Sequence, residues 1–402
     1  MTATQIRPLA EAAVLLLMAA AQFWIGRRFL ALDFIRGSQG RTRAARILIL
    51  IAAVWLTAGM LLTFPNLYTR FHFPDWCRTY ISGPAILWLF SSTMAVAGYG
   101  FFERLSRLWA PTPFSPRRRL ILRTSGATVA AAPFLVTGFG AFIGRTNFQV
   151  REIDVPIPDL APSLHGLRLV QISDIHLSPY LSESDLAGVI DASNELRPHV
   201  ALVTGDLISV ASDPLDACLR QLARLRTGGG ILGCLGNHEV YARCERYTTE
   251  RGASLGIRFL RGQNAVLNFG SAALNIVGVD YQPIAQKSNY LAGSGRLIVP
   301  GACNILLSHN PDVFPVAARQ GFDLTVAGHT HGGQVTFEIL EQTLNFARFV
   351  TPYVYGSYQS GRSSLYVTRG IGTIGLPARI GASPEIALLR LVPSPRSAPS
   401  AS

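Results

Sequence analysis

The chain has 402 residues, a net charge of +12 and only 15% charged residues, against about 25% in soluble domains. Together with a mean hydropathy of +0.28, this composition argues against a wholly soluble protein and indicates membrane segments. The positive charge does not indicate nucleic-acid binding, because residues 1–150 hold sixteen Arg and four acidic residues, whereas residues 151–402 hold twenty of each sign. All of the excess lies among the apolar segments, and no nucleic-acid partner is expected.

Four apolar segments open the chain and predict a membrane region over residues 1–146. Each approaches the roughly 20 residues that a helix needs to cross a bilayer, and they run near Ala10–Gly26, Ile47–Phe64, Gly83–Phe101 and Ser125–Gly144. The first and third connecting loops carry six Arg each, and the second carries two. Since positive loops stay in the cytoplasm, this pattern predicts that everything after Gly144 lies outside it.

The fourth segment allows a second interpretation. The stretch SPRRRLILRTSGATVAAAPF resembles a twin-arginine export signal, with paired Arg ahead of an apolar run. The other interpretation is an ordinary helix beside a positive cluster. Both place the following domain outside, and they differ in whether it folds and loads metal before it crosses.

After the membrane region the pattern becomes that of a layered α/β domain. Residues 147–165 are expected to form an extended linker, since Pro156, Pro158 and Pro162 disfavour helix. Over residues 166–392, apolar runs of strand length end in polar or glycine-rich turns and predict buried, mixed sheets. Helix-like stretches lie between the early runs, near Glu183–Leu196, Pro214–Leu225 and Tyr241–Leu255. Residues 393–402 have the composition of a disordered tail.

Five of the strand-like runs end in residues that could bind a metal ion. These residues are Asp174, His176, Asp206, Asn237, His309, His329 and His331. In α/β sheets, ligand sites gather at the carboxyl ends of the strands. Carboxylate, amide and imidazole groups without thiolates suit Mn²⁺, Fe or Zn²⁺. Pairs of such ions, about 3.5–4 Å apart, activate water and hold a phosphoryl group.

The order DxH, GD, GNHE, H and GHxH resembles the signature of the calcineurin-like metallophosphoesterases. The block GHTHGGQ and the late TRGIGTIGLPARIGASPEIALLRL are similar to the bacterial membrane-linked branch of that superfamily. The resemblance implies a four-layer α/β/β/α domain with two divalent metal ions. It implies that the first metal is held by Asp174, His176, Asp206 and His331, and the second by Asp206, Asn237, His309 and His329. Asp206 would bridge the two ions.

The resemblance also assigns a role to His238, as the histidine that binds no metal and polarises the phosphate or protonates the leaving oxygen. Glu239 could orient His238 or a ligand, and Arg369 and Arg379 could bind an anionic group of the substrate. One position departs from the pattern, because many relatives carry an acidic residue where this chain has Ser209, with Asp213 further on. His238 is therefore expected to lack a carboxylate partner and to work at a modestly lower rate.

The expected function is hydrolysis of a phosphodiester, phosphomonoester or pyrophosphate, on a small molecule or a phospholipid. The expected location is the bacterial inner membrane, crossed several times, with the hydrolase on the extracytoplasmic side. The alternative is a membrane sensor or scaffold that binds metal without turnover. A transporter with an attached regulator is disfavoured, because no charged residue lies deep in an apolar segment. The five cysteines show no CxxC pair and are expected to be buried thiols.

Overall fold

A computed structural model describes residues 3–64, 74–108, 115–339 and 342–394. The chain divides into two compact units. The first unit comprises residues 1–142 with 375–378, and the second comprises residues 143–374 with 379–402.

The first unit is helical, and the four predicted apolar segments are confirmed as helices. Its helices are α1 (Ala3–Leu30), α2 (Asp33–Arg36), α3 (Gln39–Leu61), α4 (Asp75–Cys77), α5 (Gly83–Leu108) and α6 (Pro116–Phe139). Four helical stretches are long and apolar enough to cross a membrane, namely Leu9–Leu30, Gln39–Leu61, Asp75–Leu108 and Pro116–Gly144. The helices begin earlier than the apolar patterns because α3 and α6 are capped by the side chains of Ser38 and Ser115.

Small residues bring α3 and α5 together. A Cβ atom added at Gly59 of α3 would lie 2.8 Å from the Cβ of Ala85. Glycine and alanine allow this close approach, which is how helices commonly pack where lipid surrounds them.

The second unit contains two six-stranded sheets and a hairpin. The first sheet has the order β1-β14-β2-β3-β4-β5, the second has the order β12-β13-β9-β8-β7-β6, and β10 pairs with β11. The strands are β1 (Gln149–Ile157), β2 (Arg168–Ile172), β3 (Val200–Thr204), β4 (Ile231–Cys234), β5 (Ile257–Phe259), β6 (Gln263–Phe269), β7 (Ala272–Gly278), β8 (Cys303–Leu307), β9 (Leu324–Ala327), β10 (Thr336–Ile339), β11 (Gln342–Asn345), β12 (Gly356–Ser360), β13 (Ser363–Val367) and β14 (Glu385–Pro393). In the first sheet β2 to β5 are parallel, and in the second β7, β8, β9 and β13 are parallel.

The predicted four-layer α/β/β/α arrangement is confirmed. One apolar cluster joins the facing sides of the two sheets, for example Leu169 and Leu202 of the first with Ile305 and Val326 of the second. The other face of the first sheet packs against helices, and that of the second against Phe322 and its neighbours. The helices of this unit are α7 (Glu183–Glu195), α8 (Leu215–Leu222), α9 (Asn237–Ala242), α10 (Glu245–Ser254) and α11 (Phe314–Gln320). Each sheet thus buries apolar side chains on both of its faces, as the inner layers of such a domain require.

Three parts of the chain differ from the sequence prediction or lie beyond the description. Residues 147–165, expected as a linker, include β1, which pairs with β14 over its whole length. The stretch Tyr241–Leu255 is two helices rather than one, because Arg243 takes a left-handed conformation with φ 54° that ends α9. β14 continues to Pro393, and most of the tail predicted at 393–402 lies outside the described residues.

Candidate metal centre

The predicted ligands follow the carboxyl ends of neighbouring strands in both sheets. Asp174 and His176 follow β2, Asp206 follows β3, and Asn237 follows β4. In the second sheet, His309 follows β8, and β9 is followed by His329 and His331. Because β2, β3 and β4 are parallel, as are β8 and β9, these turns meet at one edge of the domain.

The structure brings these side chains into two groups that share one carboxylate. Potential ligand atoms lie within 4.8 Å of one another in the group Asp174, His176, Asp206 and His331, and again in the group Asp206, His309 and His329. The Oδ2 of Asp206 lies 3.5 Å from the Nε2 of His176 and 3.1 Å from the Nε2 of His309. The shared position of Asp206 is the one a bridging ligand would need.

Two buried atoms at the site have no hydrogen-bond partner, namely the Oδ1 of Asn237 and the Nε2 of His309. The His309 nitrogen is near Asp206 but not aligned for a hydrogen bond. Its Nδ1 lies 2.6 Å from the carbonyl oxygen of Thr204, so Nδ1 carries a proton, and an unprotonated Nε2 would offer its lone pair to a cation. Unpaired buried acceptors are costly, and a cation would satisfy both atoms. The residues present therefore fit a metal ion.

The backbone at the site is held in an uncommon conformation. Among the residues that the structure describes, ten other than glycine have positive φ, and five of these are predicted ligands, namely Asp174, His176, Asp206, His329 and His331. Such conformations cost roughly 1–3 kcal/mol each and concentrate at functional sites. Glycines allow the turns to close over the carboxylates, since an added Cβ would lie 2.2 Å from an Asp206 oxygen at Gly236 and 2.3 Å from an Asp174 oxygen at Gly328.

The charge states suit a cation. Burial lowers the pKa of His176 to about 3 and that of His329 to about 4, so both imidazoles are neutral and able to coordinate. Burial raises the pKa of Asp174 to about 6. Burial alone would lower the pKa of His309, but the Asp206 carboxylate reverses this and raises it to about 10. A cation at this position would take the place of the proton that Asp206 favours on His309.

His238 lies beside the two groups and belongs to neither. Its Nδ1 is 2.7 Å from the carbonyl oxygen of Ser209, and its ring is 4.7 Å, centre to centre, from that of His176. The backbone N–H of His238 donates to Asp206. A carbonyl accepts only from a protonated Nδ1, so the Nε2 of His238 is the nitrogen left for a ligand or substrate.

Ser209, the position that departs from the family pattern, contacts both His238 and His176. The Ser209 backbone carbonyl binds His238, and its hydroxyl lies 3.0 Å from the Nδ1 of His176. Asp213, which is buried, fixes this loop, because its Oδ2 accepts hydrogen bonds from the N–H groups of Ser209 and Val210 at 2.9 and 3.0 Å. His238 thus lies against a backbone carbonyl, at the position where the family pattern has a carboxylate and where this chain was expected to lack one.

The residues of this centre lie within a range that matches a known protein family. The sequence profile of the calcineurin-like phosphoesterases matches residues 167–333. That range holds all seven predicted ligands and His238. Over these residues the domain is therefore similar to the calcineurin-like phosphoesterases.

Relatives of this phosphoesterase domain include membrane proteins. The chain is 31% identical over 271 residues to a transmembrane protein with a metallophosphoesterase domain from Danio rerio, covering 63% of this chain and 60% of the relative. A protein of the same description from Bos taurus is 28% identical, over 69% of this chain and 64% of its own length. An uncharacterized metallophosphoesterase of Bacillus subtilis is 29% identical, over 68% and 97%. The chain thus spans less than two thirds of the length of the two transmembrane relatives.

Within the phosphoesterase domain, Glu239 supports the ligand turns rather than the ring of His238. Its fully buried carboxylate accepts three backbone hydrogen bonds, from Gly236 at 2.7 Å, Asp206 at 3.0 Å and Leu207 at 2.7 Å. These bonds tie the turn after β3 to the turn after β4. Glu239 therefore fixes the backbone of Asp206 and the residue before Asn237.

The expectation that Arg379 meets an anionic substrate is wrong. Its side chain is only 2% exposed, and its guanidinium donates to the backbone carbonyls of His331, Arg369, Gly372 and Ala382. It therefore braces the loops behind His331. Arg369 is 9% exposed, with its guanidinium carbon 4.2 Å from the ring centre of Tyr355. The phosphoesterase domain thus keeps both arginines largely away from solvent.

The sequence reasoning missed two residues near the centre. Gln171, in β2, donates to the hydroxyl of Thr204 and to the carbonyl of Ala327, both at 2.9 Å. It therefore joins the two sheets behind the metal centre, and its only signal is one polar residue inside an apolar strand. The ring of Tyr281 lies 5.6 Å from that of His329 and 6.1 Å from that of His309, and the sequence carries no signal for it.

Proposed function

We propose that the chain is a metal-dependent phosphoesterase that hydrolyses phosphate esters or pyrophosphates at a dinuclear centre. The observation that carries this proposal is that Asp206 is shared by two buried ligand groups while His238, bound by neither, lies beside them with its Nδ1 fixed. A structural polar cluster would need neither a shared carboxylate nor an unpaired amide oxygen at Asn237. The family assignment supports the same conclusion.

The residues divide the work as follows. The first ion would be held by Asp174, His176, Asp206 and His331, and the second by Asp206, Asn237, His309 and His329. Two divalent cations of Mn, Fe or Zn would supply an activated water and withdraw charge from the phosphoryl group. Asp206 belongs to both ligand groups and would serve both ions. Neutral His176 and His329 leave lone pairs for coordination.

His238 acts on the leaving group. The hydrogen bond from its Nδ1 to the Ser209 carbonyl restricts rotation of the ring. The position of Nε2 is therefore fixed as well. A proton on this Nε2 would pass to the leaving oxygen as the ester bond breaks, or hydrogen-bond to a phosphoryl oxygen. Metal ligation does not compete for this nitrogen, because His238 belongs to neither ligand group.

The proposed location is the bacterial inner membrane, with several crossings and the phosphoesterase domain on the extracytoplasmic side. Four apolar helices and the Arg-rich first and third loops support this topology. A domain tethered there meets membrane-bound substrates at raised effective concentration, which favours a phospholipid or lipid-linked pyrophosphate over a soluble ester. A reporter fused near residue 150 should be active only outside the cytoplasm, and activity inside would overturn the topology.

The experiment uses the full chain purified in detergent, with bis(p-nitrophenyl) phosphate and Mn²⁺. We expect hydrolysis that is abolished by Asp206→Asn and lowered at least roughly 100-fold by His238→Ala. His165→Ala is the matched control, because His165 is exposed and lies outside the site, and it should keep the wild-type rate. Metal binding without hydrolysis of this ester or of phospholipids would instead favour the sensor or scaffold.

A further inference from the structure

The chain enters the phosphoesterase domain at the edge that carries the metal centre. β1 runs parallel to β14 with Gln149 opposite Glu385, and β14 runs antiparallel to β2. The beginning of β1 and the end of β2 therefore lie at the same edge of the sheet, with the beginning of β14 between them, and Asp174 and His176 follow β2 at that edge. The N–H of Gln149 donates to the carbonyl of Pro384 at 2.8 Å.

Hydrogen bonds continue from this point to the ligand turn itself. The N–H of Glu385 donates to Gly370 at 3.0 Å, and the N–H of Gly372 donates to the carbonyl of Asp174 at 2.7 Å. Arg145, which precedes β1, is also bound at this edge. Its guanidinium donates to the carbonyl of Tyr180, in the loop after His176. Residues 145–149 are thus held at the metal-site edge from two sides.

The covalent tether is short. The fourth membrane-length helical stretch ends at Gly144, and β1 begins at Gln149. Five residue steps span at most about 18 Å even when fully extended. A chain that crosses a bilayer through that helix therefore keeps this edge of the domain close to the bilayer surface.

A loop at the same edge exposes large apolar side chains. Phe349 is 89% exposed and Val350 is 73% exposed, and exposed Arg348 precedes them. The loop is fixed to the ligand turn through Asn345, whose amide donates to the carbonyl of Gly332 at 2.7 Å. Neighbouring exposed apolar residues with an adjacent cation are typical of segments that lie in the membrane interface.

We propose that residues 348–350 form a bilayer-docking loop that contacts an anionic lipid surface and presents the metal centre to the phosphate of a membrane lipid. The substrate part of this inference rests on the proposed function. The contact with the bilayer rests on the geometry alone. The tether fixes which edge meets the bilayer, and Phe349 and Val350 supply the apolar contact. Arg348 supplies the attraction to anionic headgroups.

The contact is tested without any assay of activity. The full chain, with a nitroxide spin label on the variant Phe349→Cys, is placed in nanodiscs of phosphatidylcholine and phosphatidylglycerol. The matched control is Val266→Cys, in the middle of β6, where the native side chain is 46% exposed. The unsubstituted chain, treated in the same way, gives the background from native cysteines.

We expect oxygen to relax the label at position 349 at least threefold more than the water-soluble nickel reagent does, and the reverse at position 266. Equal access of the nickel reagent at both positions would overturn the docking loop. Protection of position 349 from both reagents would also overturn it, because the contact would then be with protein.

A second measurement tests the substrate part. Phe349→Asp and the control Val266→Asp are compared on bis(p-nitrophenyl) phosphate and on phosphatidic acid in vesicles. We expect Phe349→Asp to keep the soluble rate within twofold and to lose at least tenfold on the vesicles, while Val266→Asp keeps both. Equal vesicle rates would refute the substrate part. If the wild-type chain hydrolyses neither compound, the proposed function fails, and the spin-label result still decides the docking loop.

Discussion

The loop that holds His238 offers a sharp test of the site. Asp213 acts on His238 through this loop: its carboxylate accepts hydrogen bonds from the N–H groups of Ser209 and Val210, and the Ser209 carbonyl accepts one from the His238 ring. Asp213→Ala removes two hydrogen bonds to a charged acceptor, each worth about 1.5–3 kcal/mol. The loop is half-buried at Ser209 and Val210, so water recovers part of that loss. We expect a net cost of roughly 2–4 kcal/mol in loop order.

The kinetic consequence follows from the orientation of His238. A correctly positioned general acid contributes a rate enhancement of about 10²–10⁴. If the His238 ring can rotate, part of that enhancement is lost, so kcat should fall roughly 10–100-fold. KM should stay within about threefold, and the bound Mn²⁺ should not change. Asp213→Asn keeps one acceptor oxygen and should recover most of the rate.

The assay is kcat and KM on bis(p-nitrophenyl) phosphate at saturating Mn²⁺, with metal content measured on the same samples. An unchanged kcat in Asp213→Ala would refute the argument. A loss of bound metal in parallel with kcat would refute it as well, since the residue would then support the whole centre rather than His238.

Four further predictions concern the centre and the domain that holds it. Glu239→Gln leaves one backbone donor facing an amide, so the apparent Mn²⁺ affinity in a calorimetric titration should fall about 10–100-fold, and an unchanged affinity would contradict the role of Glu239. Arg379→Lys leaves buried carbonyls unpaired and should lower the melting temperature by roughly 5 °C or more, whereas Arg362→Lys, at an exposed ion pair, should shift it by less than about 2 °C. A chelator should lower the melting temperature and Mn²⁺ should restore it, because two buried carboxylates lose their countercharge; no shift would argue against a metal site. Burial raises the pKa of the Cys303 thiol to about 12, so its reactive thiolate is scarce at neutral pH. Mass spectrometry should find Cys303 unmodified by iodoacetamide in the folded chain and modified after denaturation. Rapid alkylation of the folded chain would contradict the buried position.

The sequence was informative wherever side chains carry the chemistry. Asp174 and His176 are two residues apart after an apolar run, and a strand that ends there places both at the edge of a sheet. The same holds for the turns after β3, β8 and β9. These candidate ligands at strand ends could therefore be predicted from residue type and spacing alone.

The sequence was uninformative where a backbone group makes the contact, or where the contacting residue lies far away along the chain. Ser209 orients His238 through its carbonyl, which every residue possesses. Arg379 reads as a surface cation because nothing local shows that backbone carbonyls surround it. β1 reads as a linker because Pro156 and its neighbours suit loops, but an edge strand tolerates proline, and its partner β14 lies near the other end of the chain.

Conformation within the turns was also beyond prediction. The helix expected over Tyr241–Leu255 is interrupted at Arg243, whose positive φ is rare for a residue other than glycine. The positive φ values of the predicted ligands have the same character, because packing around the centre imposes them. Their local sequence would have predicted ordinary strand or turn geometry.

The central claim is that this domain is a phosphoesterase that needs two metal ions on Asp206. The most direct measurement is the rate of bis(p-nitrophenyl) phosphate hydrolysis as a function of Mn²⁺ bound per chain, on full-length protein first stripped with a chelator. The account predicts little hydrolysis at one bound ion and a rate that rises as the second binds. Full activity at one ion per chain, or none at two, would contradict it.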